Sequence, residues 1–331
     1  MDVAIAGGGL IGLASALELA QRGAKVCVVD RGDRGQASWA AAGILGPQSE
    51  VHAPSPLLDL CRKSYALYPE LVRRLGKDVG FRACGALHLA FTETEAAALE
   101  AQAGWQREAG LRVQERRHPG AKLAVFLPDE GQVDNRKLLA ALRDACARGG
   151  VAFVQDSCAS LDRDRIELAS GGEIRARRTV LCGGSWSGGL ARLPVYPVRG
   201  QMLSLVVPPP DCVVFGGGGY LVPREGRTLV GATSEEAGFD PTPTSQGRAW
   251  LLDVAARHGL RNPEVLDHWA GLRPATDDGL PLFGALPSGA LVATGHFRNG
   301  VLLTPISARV VAALALDEAP PVDLAPFRPD R

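Results

Sequence analysis

Residues 2–32 read DVAIAGGGLIGLASALELAQRGAKVCVVDRG, and this stretch decides the fold class. The apolar residues 3–6 predict a short buried strand, and residues 10–22 carry apolar side chains at helical spacing. Gly23 follows at the place where glycine commonly ends a helix, and residues 25–29 predict a second strand. The order strand, glycine turn, helix and strand predicts a βαβ unit.

The glycines of this turn have the spacing of a dinucleotide-binding motif. Gly7, Gly9 and Gly12 occupy the GxGxxG positions directly after the first strand. In that motif the glycines allow a tight turn, a close approach of the backbone to a pyrophosphate, and packing of helix on strand. Asp30 ends the second strand, where a carboxylate can accept a hydrogen bond from a ribose hydroxyl. The alternative is a glycine turn needed only for packing.

A second motif distinguishes between FAD and NAD as the dinucleotide. Residues 37–50, ASWAAAGILGPQSE, follow the acid closely and consist mostly of small residues, with Gly43 among them. Such a segment can lie flat against an isoalloxazine ring. The pieces of the nucleotide-binding unit are also spread along the chain, an arrangement that suits the longer FAD molecule. We therefore predict FAD as the cofactor, with NAD as the alternative.

The rest of the chain alternates between two kinds of sequence pattern. Helix and strand patterns return at residues 133–156, 179–188 and 291–314, whereas short apolar runs separated by Pro and Gly predict an antiparallel sheet. We therefore predict an α/β protein in which an FAD-binding, Rossmann-like domain is interleaved with a substrate domain built on a mixed or antiparallel sheet. The FAD-binding domain is predicted to comprise residues 1–75, 128–194 and 276–331, and the substrate-binding domain residues 76–127 and 195–275.

Composition excludes several classes of function. The chain has 331 residues, of which 46% are hydrophobic and 22% charged, values typical of a globular protein of about two domains. Its 36 basic and 36 acidic residues cancel, so no overall field attracts nucleic acid or an acidic membrane surface. The seven cysteines are scattered, without a CxxC pair or histidines at metal-ligand spacing, and are expected to be buried thiols in a reducing compartment. We expect a cytoplasmic protein without a signal peptide, a membrane span or a metal.

Further stretches resemble a known family. VDNRKLL, GSWSG, YPVRGQ, YLVPR, LVGAT, GFDPTPT, WAGLRPATDDGLP and GHFRNGVLLTP run through the whole chain. Together with the glycine turn and the segment 37–50, they resemble the D-amino acid oxidase family of flavoproteins, and within it the glycine oxidases of thiamine biosynthesis. The resemblance implies an FAD domain joined to a substrate domain, with the flavin at their interface. The related sarcosine oxidases attach their flavin covalently to a cysteine in the C-terminal part of the chain. Because no cysteine follows residue 212 in this sequence, the resemblance implies non-covalent FAD.

The resemblance also implies roles for individual residues. The three glycines of the turn and Asp30 would bind the cofactor. Further cofactor-binding residues would lie in five segments: Leu10, Ile11, Arg31, Ala37, Ser38, Ala42, Gly43, Ile44, Ala159, His296, Phe297, Arg298, Asn299, Gly300, Val301 and Leu302. Arg273 and Arg298 would bind the carboxylate of the substrate, assisted by Tyr220, because the planar guanidinium matches a carboxylate with two parallel hydrogen bonds. His296 is expected to position its turn, with proton abstraction as the alternative.

The implied reaction is oxidation of glycine or another small amino acid. Hydride transfer to the flavin gives an imino acid, which hydrolyses to a keto acid and ammonia, and dioxygen becomes hydrogen peroxide. No side chain is then needed as a catalytic acid or base. For glycine, the imine can instead supply thiazole synthesis in thiamine biosynthesis. Association into a homo-oligomer is compatible with the sequence.

Several alternatives remain at this stage. Within the family they are a D-amino acid oxidase, a sarcosine oxidase, or a dehydrogenase with another electron acceptor. A non-catalytic flavin-binding protein and an NAD-dependent dehydrogenase belong to other classes. Two departures from the family pattern, Ser234 and the glycine run 216–219 before Tyr220, predict a reshaped pocket, with the glycine run as a loop at the pocket mouth.

Overall fold

Most of the secondary structure belongs to two sheets and the helices packed on them. The structure is a computed structural model that describes residues 1–33 and 35–331. In chain order the strands are β1 (Val3–Ala6), β2 (Val26–Val29), β3 (Ile44–Leu45), β4 (Ala86–Ala90), β5 (Gln114–Arg116), β6 (Leu123–Leu127), β7 (Gly131–Gln132), β8 (Ala152–Val154), β9 (Cys158–Leu161), β10 (Arg165–Leu168), β11 (Glu173–Arg175), β12 (Arg178–Leu181), β13 (Tyr196–Leu205), β14 (Val213–Gly216), β15 (Gly219–Arg224), β16 (Arg227–Gly231), β17 (Val265–Ala275), β18 (Leu282–Ala285) and β19 (Leu291–Thr294). The α-helices are α1 (Leu10–Gln21), α2 (Ala37–Ala40), α3 (Pro56–Ala66), α4 (Tyr68–Leu75), α5 (Glu93–Glu108), α6 (Asn135–Arg148), α7 (Ser187–Ala191), α8 (Ser245–Arg257) and α9 (Thr304–Ala315).

The first sheet contains the βαβ unit. Its strand order is β18-β19-β12-β1-β2-β8, and every neighbouring pair from β19 to β8 is parallel. Helix α1 connects β1 to β2 and buries Leu13 and Leu17 in a core shared with Leu142 of α6 and Val310 of α9. The predicted unit is confirmed, with helix and strand ends within one residue of expectation.

The second sheet is mixed and mainly antiparallel. Its order is β17-β13-β16-β15-β14-β4-β6-β5, with β4 and β14 as its parallel pair. Helix α8 packs its buried Leu251 and Val254 against this sheet. The mixed α/β fold class is therefore confirmed. The strands of the first sheet lie in 1–75, 128–194 and 276–331, and those of the second in 76–127 and 195–275, while the exact domain boundaries stay a prediction.

Short pairings fasten the segment after the glycine turn to the rest of the protein. Strand β3 pairs with β7, so that the Val133 N–H donates to the Gly43 carbonyl at 2.8 Å. Gln36 forms an isolated parallel bridge with Leu272 of β17. These pairings place residues 37–44, most of them small, between the two sheets.

The glycine run 216–219 forms a hairpin turn and does not lie at a pocket mouth. Gly216 pairs with Gly219, so Gly217 and Gly218 form a two-residue turn with φ values of +58° and +85°. Positive φ at both central residues is what a tight hairpin of this type requires. A Cβ on Gly219 would lie 2.8 Å from a Val254 methyl of α8. The run is therefore explained by turn geometry and helix packing, and the prediction of a mouth loop is wrong.

The seven cysteines are thiols with two degrees of burial. Those in the cores are buried, namely Cys27, Cys61, Cys146 and Cys182, whereas Cys84, Cys158 and Cys212 are half-buried. Where the side chain is buried, desolvation raises the pKa of the thiol, as it does for Cys61 and Cys182. Raised pKa values suppress the reactive thiolate, as expected for cysteines with a packing role.

Gly12 of α1 tests whether packing demands glycine in the turn. A Cβ at Gly12 would clash with the backbone oxygen of Gly7, which cannot move aside as a side chain could. We expect Gly12→Ala to lower the free energy of unfolding by about 1–3 kcal/mol. Gly104, also helical but without neighbours within 4 Å, is the matched control. Gly104→Ala should be neutral or stabilising by up to about 1 kcal/mol, and equal denaturation midpoints for the two variants would contradict the packing argument.

Candidate active site

A cavity of about 500 Å³ lies where the first sheet meets the second. Ligand sites commonly have volumes of about 300–1,000 Å³. One end is lined by residues after the parallel strands, such as Asp30 and Cys182, and the other by residues of the mixed sheet, such as Met202 and Tyr220. In open α/β sheets, ligands bind at the carboxyl ends of the strands, and this cavity lies there.

The glycine turn opens α1 toward the cavity. Gly9 is the N-cap of α1 and has no side chain that could accept hydrogen bonds from the N–H groups of the first turn. One of these groups, the N–H of Leu10, donates to Ser38 Oγ at 2.9 Å. A Cβ on Gly9 would come within 2.9 Å of the same oxygen, and one on Gly7 would clash with the backbone of Cys182. Uncapped N–H groups and the positive end of the helix dipole bind phosphate groups well.

Asp30 stands beside the turn at the end of β2. Its carboxylate accepts hydrogen bonds from the backbone N–H of Gly8 at 2.6 Å and of Gly32 at 2.7 Å. A carboxylate has about four lone-pair sites, so acceptor capacity remains for a ligand hydroxyl. Arg31 lies next to it, with its guanidinium 5.5 Å from the centroid of the Trp186 ring. This end of the cavity suits the adenosine half of a dinucleotide.

Residues 37–44, called here the cofactor strip, form the middle of the cavity wall. Every residue of the strip except Trp39 lines the cavity. Gly43 has a φ of +74°, and a Cβ there would clash with the Val133 carbonyl oxygen. The strip therefore presents backbone and small side chains, as a flat ring against it would require.

Arg273 and Tyr220 meet at the other end of the cavity. The Arg273 Nη1 donates to the Thr233 carbonyl at 3.0 Å, and among the described residues no carboxylate lies within salt-bridge distance of Arg273. Burial lowers the pKa of the Arg273 guanidinium. The hydroxyl of Tyr220 lies beside it, and burial raises the pKa of this phenol. Gly200 and Gly231 make room, since a Cβ at either would clash with the guanidinium or the phenol ring.

Arg298 faces the same cavity but already has a carboxylate. Its Nε donates to Glu50 Oε2 at 2.6 Å, and the side chain of Glu50 is only 11% exposed. The charge of Glu50 raises the pKa of Arg298. The two arginines predicted to bind a carboxylate thus differ, because Glu50 neutralises Arg298 whereas no carboxylate of the described residues is paired with Arg273.

His296 is part of the turn that closes the cavity after β19. Its Nε2 lies 3.0 Å from Ser307 Oγ, and its ring packs edge-on against Phe283. Burial lowers the pKa of His296 to about 3. A histidine with such a pKa is a weak proton acceptor at neutral pH, so the structure favours the positioning role.

The structure brings most of the predicted site residues into one cavity. Those that line it are Gly7, Gly9, Leu10, Ile11, Asp30, Arg31, Ala37, Ser38, Ala42, Gly43, Ile44, Tyr220, Arg273, His296, Phe297, Arg298, Gly300 and Val301. Gly12, Asn299 and Leu302 lie behind this wall. Gly12 allows α1 to pack against the Gly7 carbonyl, as its motif position requires, whereas Asn299 and Leu302 are buried in the closing turn.

Two sequence expectations need correction. Ala159 lies in β9 and is exposed. The wall near it is formed instead by Asp156 and Ser157, between β8 and β9, and by Cys158, the first residue of β9. The chain leaves the cavity edge before it reaches Ala159. Ser234 is exposed and does not line the cavity, so it does not reshape the pocket as expected.

Several cavity residues are not apparent from the sequence. Trp186 ends the GSW turn, and its ring centroid lies 5.9 Å from that of Phe239, which comes from the loop after β16, with the two ring planes tilted by 32°. Glu50 is the last residue of the motif 37–50, and its charge is the one sequence feature that could have indicated a role in the site. Its partner is 248 residues away, however, so no local pattern indicates the pair.

Glu130 holds the turn that carries Glu50. This buried carboxyl accepts from the backbone N–H of Gln48 at 2.8 Å, from that of Ser49 at 2.7 Å, and from Ser49 Oγ at 2.5 Å. Ser49 Oγ also lies 2.7 Å from Nε2 of His88. Burial raises the pKa of Glu130 to about 7, although the three donors act in the opposite direction.

The pKa of Glu130 predicts a pH dependence of stability. The folded-state pKa of about 7 exceeds the ordinary value of 4.5, so between these pH values the unfolded chain loses its proton first. The contribution of Glu130 to the free energy of unfolding should therefore fall as the pH rises from about 4.5 to 7. Glu130→Gln removes this titration. The melting temperature of the variant minus that of the wild type should therefore increase between pH 4.5 and 7.5. Glu93→Gln, at a carboxylate 83% exposed, is the control and should parallel the wild type. Parallel curves for Glu130→Gln would contradict the assignment.

The cavity fits FAD and defines the class of the protein. The uncapped α1 terminus, the acid at the end of β2 and the flat cofactor strip provide for pyrophosphate, ribose and a planar ring, and the arginine end lies beyond the strip. A dinucleotide-binding α/β domain joined to a mixed sheet across such a cavity is the arrangement of a flavin-dependent oxidoreductase.

Comparison with known proteins identifies the family. The sequence profile of the FAD-dependent oxidoreductases that include D-amino acid oxidase matches residues 2–314, and the chain belongs to this family. It is 38% identical to a glycine oxidase of Geobacillus kaustophilus over 360 residues, covering 98% of this chain and 96% of that protein. It is 39% identical to the bifunctional protein ThiO/ThiG of Synechocystis sp. over 356 residues, and spans 54% of that protein's length.

Solved structures agree with this assignment. The crystal structure of the Geobacillus kaustophilus glycine oxidase superposes with a TM-score of 0.93 at 37% identity, covering 100% of this chain and 98% of that one. An iminodiacetate oxidase from Chelativorans sp. superposes with a TM-score of 0.88 at 26% identity, covering 99% and 98% of the two chains. The predicted flavoprotein family and FAD cofactor are thereby confirmed.

Proposed function

We propose that this protein is an oxidase that deaminates glycine or a similarly small α-amino acid, with dioxygen as electron acceptor. The observation that carries the proposal is Arg273, a guanidinium in the cavity wall without a carboxylate partner among the described residues. Because burying an unpaired charge is unfavourable, such a residue is expected where a ligand supplies the opposite charge. The glycine oxidases among the relatives support glycine as the substrate.

The charges at this end of the cavity favour a substrate with one carboxylate. Arg298 and Glu50 neutralise each other, so Arg273 leaves a single positive charge to be balanced. An amino acid with a neutral amine balances it, and that form has the lone pair needed to assist hydride loss from Cα. A second carboxylate would have to displace Glu50 from Arg298. We therefore expect a dicarboxylate such as iminodiacetate to be a poorer substrate than glycine or sarcosine.

Positioning accounts for the protein's part in the reaction. Arg273 has Nη2 and Nε left to donate after its bond to Thr233, and the Tyr220 hydroxyl lies beside it. Together they would hold the carboxylate and aim Cα–H at the cofactor strip side of the cavity. The flavin of FAD supplies the acceptor for the hydride. The imine product then hydrolyses to a keto acid and ammonia without a protein acid or base.

The proposal extends to pathway and setting. The bifunctional ThiO/ThiG relatives support the idea that the imine from glycine supplies thiazole assembly in thiamine biosynthesis. Over the described part of the chain, no helix has the length and apolar character of a membrane span. A cytoplasmic location and a homo-oligomer stay predictions from the sequence.

A substrate panel tests the activity. We expect hydrogen peroxide from the FAD-loaded protein with glycine and sarcosine, less with D-alanine because of its added methyl group, and least with iminodiacetate. Flavin bleaching without oxygen, followed by no peroxide in air, would favour a dehydrogenase. Absence of both bleaching and peroxide with every amine would remove the oxidase proposal.

Arg273→Ala tests the carboxylate site. We expect it to weaken apparent glycine binding by about 2–5 kcal/mol, because the charge that pairs with the carboxylate is lost. The flavin absorption spectrum should remain, because the cofactor is held elsewhere. Arg309→Ala, which removes a guanidinium paired with Glu70 at 2.7 Å outside the cavity, is the control and should change KM little. An unchanged KM for Arg273→Ala would exclude Arg273 from the site.

A further inference from the structure

The cofactor strip is bound from behind by side chains that do not line the cavity. Asn135 Nδ2 donates to the carbonyl oxygens of Ser38 at 2.9 Å and of Trp39 at 3.0 Å. Trp269 Nε1 donates to the Ala40 carbonyl at 2.9 Å. Successive carbonyls of the strip thus point away from the cavity.

Arg224 binds the carbonyl of Ala42, two residues further along the strip, and joins three segments. Its Nη2 donates to the Ala42 carbonyl at 2.6 Å and to the Val133 carbonyl at 3.0 Å. Its Nη1 donates to Gln132 Oε1 at 2.6 Å and to the Pro223 carbonyl at 2.9 Å. Arg224 is only 8% exposed and ends β15 of the mixed sheet. It belongs to the YLVPR stretch, in which the sequence suggested a role for Tyr220 but none for Arg224.

The geometry of the peptide bond links Arg224 to the cavity. In a planar trans peptide the C=O and the following N–H point in opposite directions. Because the Ala42 carbonyl points to Arg224, which does not line the cavity, the Gly43 N–H of the same peptide points toward the cavity. A rotation of this peptide would direct a carbonyl there and replace a donor by an acceptor.

We propose that Arg224, assisted by Trp269, is a positioning residue that holds the Ala42–Gly43 peptide with its N–H directed to the flavin side of the cavity. Arginine suits this role because its fork of donors reaches several carbonyls in one plane. Burial lowers the pKa of Arg224 to about 10, so it remains protonated at neutral pH. Asp134, whose carboxylate is 3.7 Å from Nε, balances part of the charge.

Alternative explanations make different predictions about the strip. If Arg224 only stabilised the fold, its loss would lower the stability of the apoprotein and leave the affinity for FAD unchanged. If it positions the strip, its loss weakens FAD binding and alters the electronic properties of the bound flavin. FAD affinity and flavin spectroscopy therefore separate the two roles, and neither requires a substrate.

The test compares Arg224→Gln and Arg224→Lys with the wild type. We expect Arg224→Gln to raise the FAD dissociation constant by about 10- to 100-fold, the effect of losing a charge-assisted hydrogen bond, with a changed visible spectrum and flavin reduction potential. Arg224→Lys keeps the charge but loses the fork, so it should fall between the two. Trp269→Phe removes the Ala40 bond alone and should have a smaller effect in the same direction.

Arg74→Gln is the matched control. Arg74 is another partly buried arginine of the cofactor-binding half, and it bridges α4 to Glu18 of α1 at 2.7 Å, away from the strip. Its loss should lower the melting temperature without changing FAD affinity or the flavin spectrum. The proposal is overturned if both Arg224 variants bind FAD within twofold of the wild type with an unchanged spectrum. If Arg224→Gln does not fold, Arg224→Lys decides by the same criteria.

Discussion

The close approach of the glycine turn to the end of β12 is the constraint on which the rest of the site depends. Gly7 and Gly12 pack so tightly against Cys182 and against each other that neither position has room for a side chain. This packing places the N-terminus of α1 at the carboxyl ends of the parallel strands. The phosphate-binding end of the cavity, the acid at the end of β2 and the start of the cofactor strip all take their positions from it.

Burial and charge pairing explain how two similar arginines acquire different tasks. Arg273 and Arg298 face one cavity, but Glu50 sits only on Arg298. Glu50 in turn is held in place by the turn that Glu130 binds from below. The paired arginine therefore supports the wall of the cavity, while the unpaired one keeps its attraction for an anion. Chemistry at this end is determined by the pairing, and not by the residue type.

The parts of the fold that depend on residues close together in the sequence could be predicted from it. The βαβ unit follows from periodicity, and the roles of Gly7, Gly9 and Asp30 follow from motif spacing. The strip was predicted because small residues and Gly43 stand together. Contacts over long separations could not be predicted, since no local pattern indicates that Arg298 will meet Glu50 or that Arg224 will reach Ala42. The run 216–219 shows the converse, because the same residues suit a ligand loop and a hairpin turn, and only the partner strand distinguishes them.

On two sides of the cavity, buried polar side chains bind backbone carbonyls of the wall from behind. On the cofactor strip, carbonyls are bound from behind by side chains of the mixed sheet and of α6. In the closing turn, Tyr68 Oη donates to the Val301 carbonyl at 2.5 Å and Ser64 Oγ donates to that of Leu302 at 2.6 Å. These bonds fix the carbonyl side of the wall, while in the same peptides the N–H of Ala40 donates to the Gln36 carbonyl and that of Leu303 to the Asn299 carbonyl. The backbone of the wall is therefore held in place from behind by buried polar side chains, and the cofactor strip in front of them consists mostly of small residues.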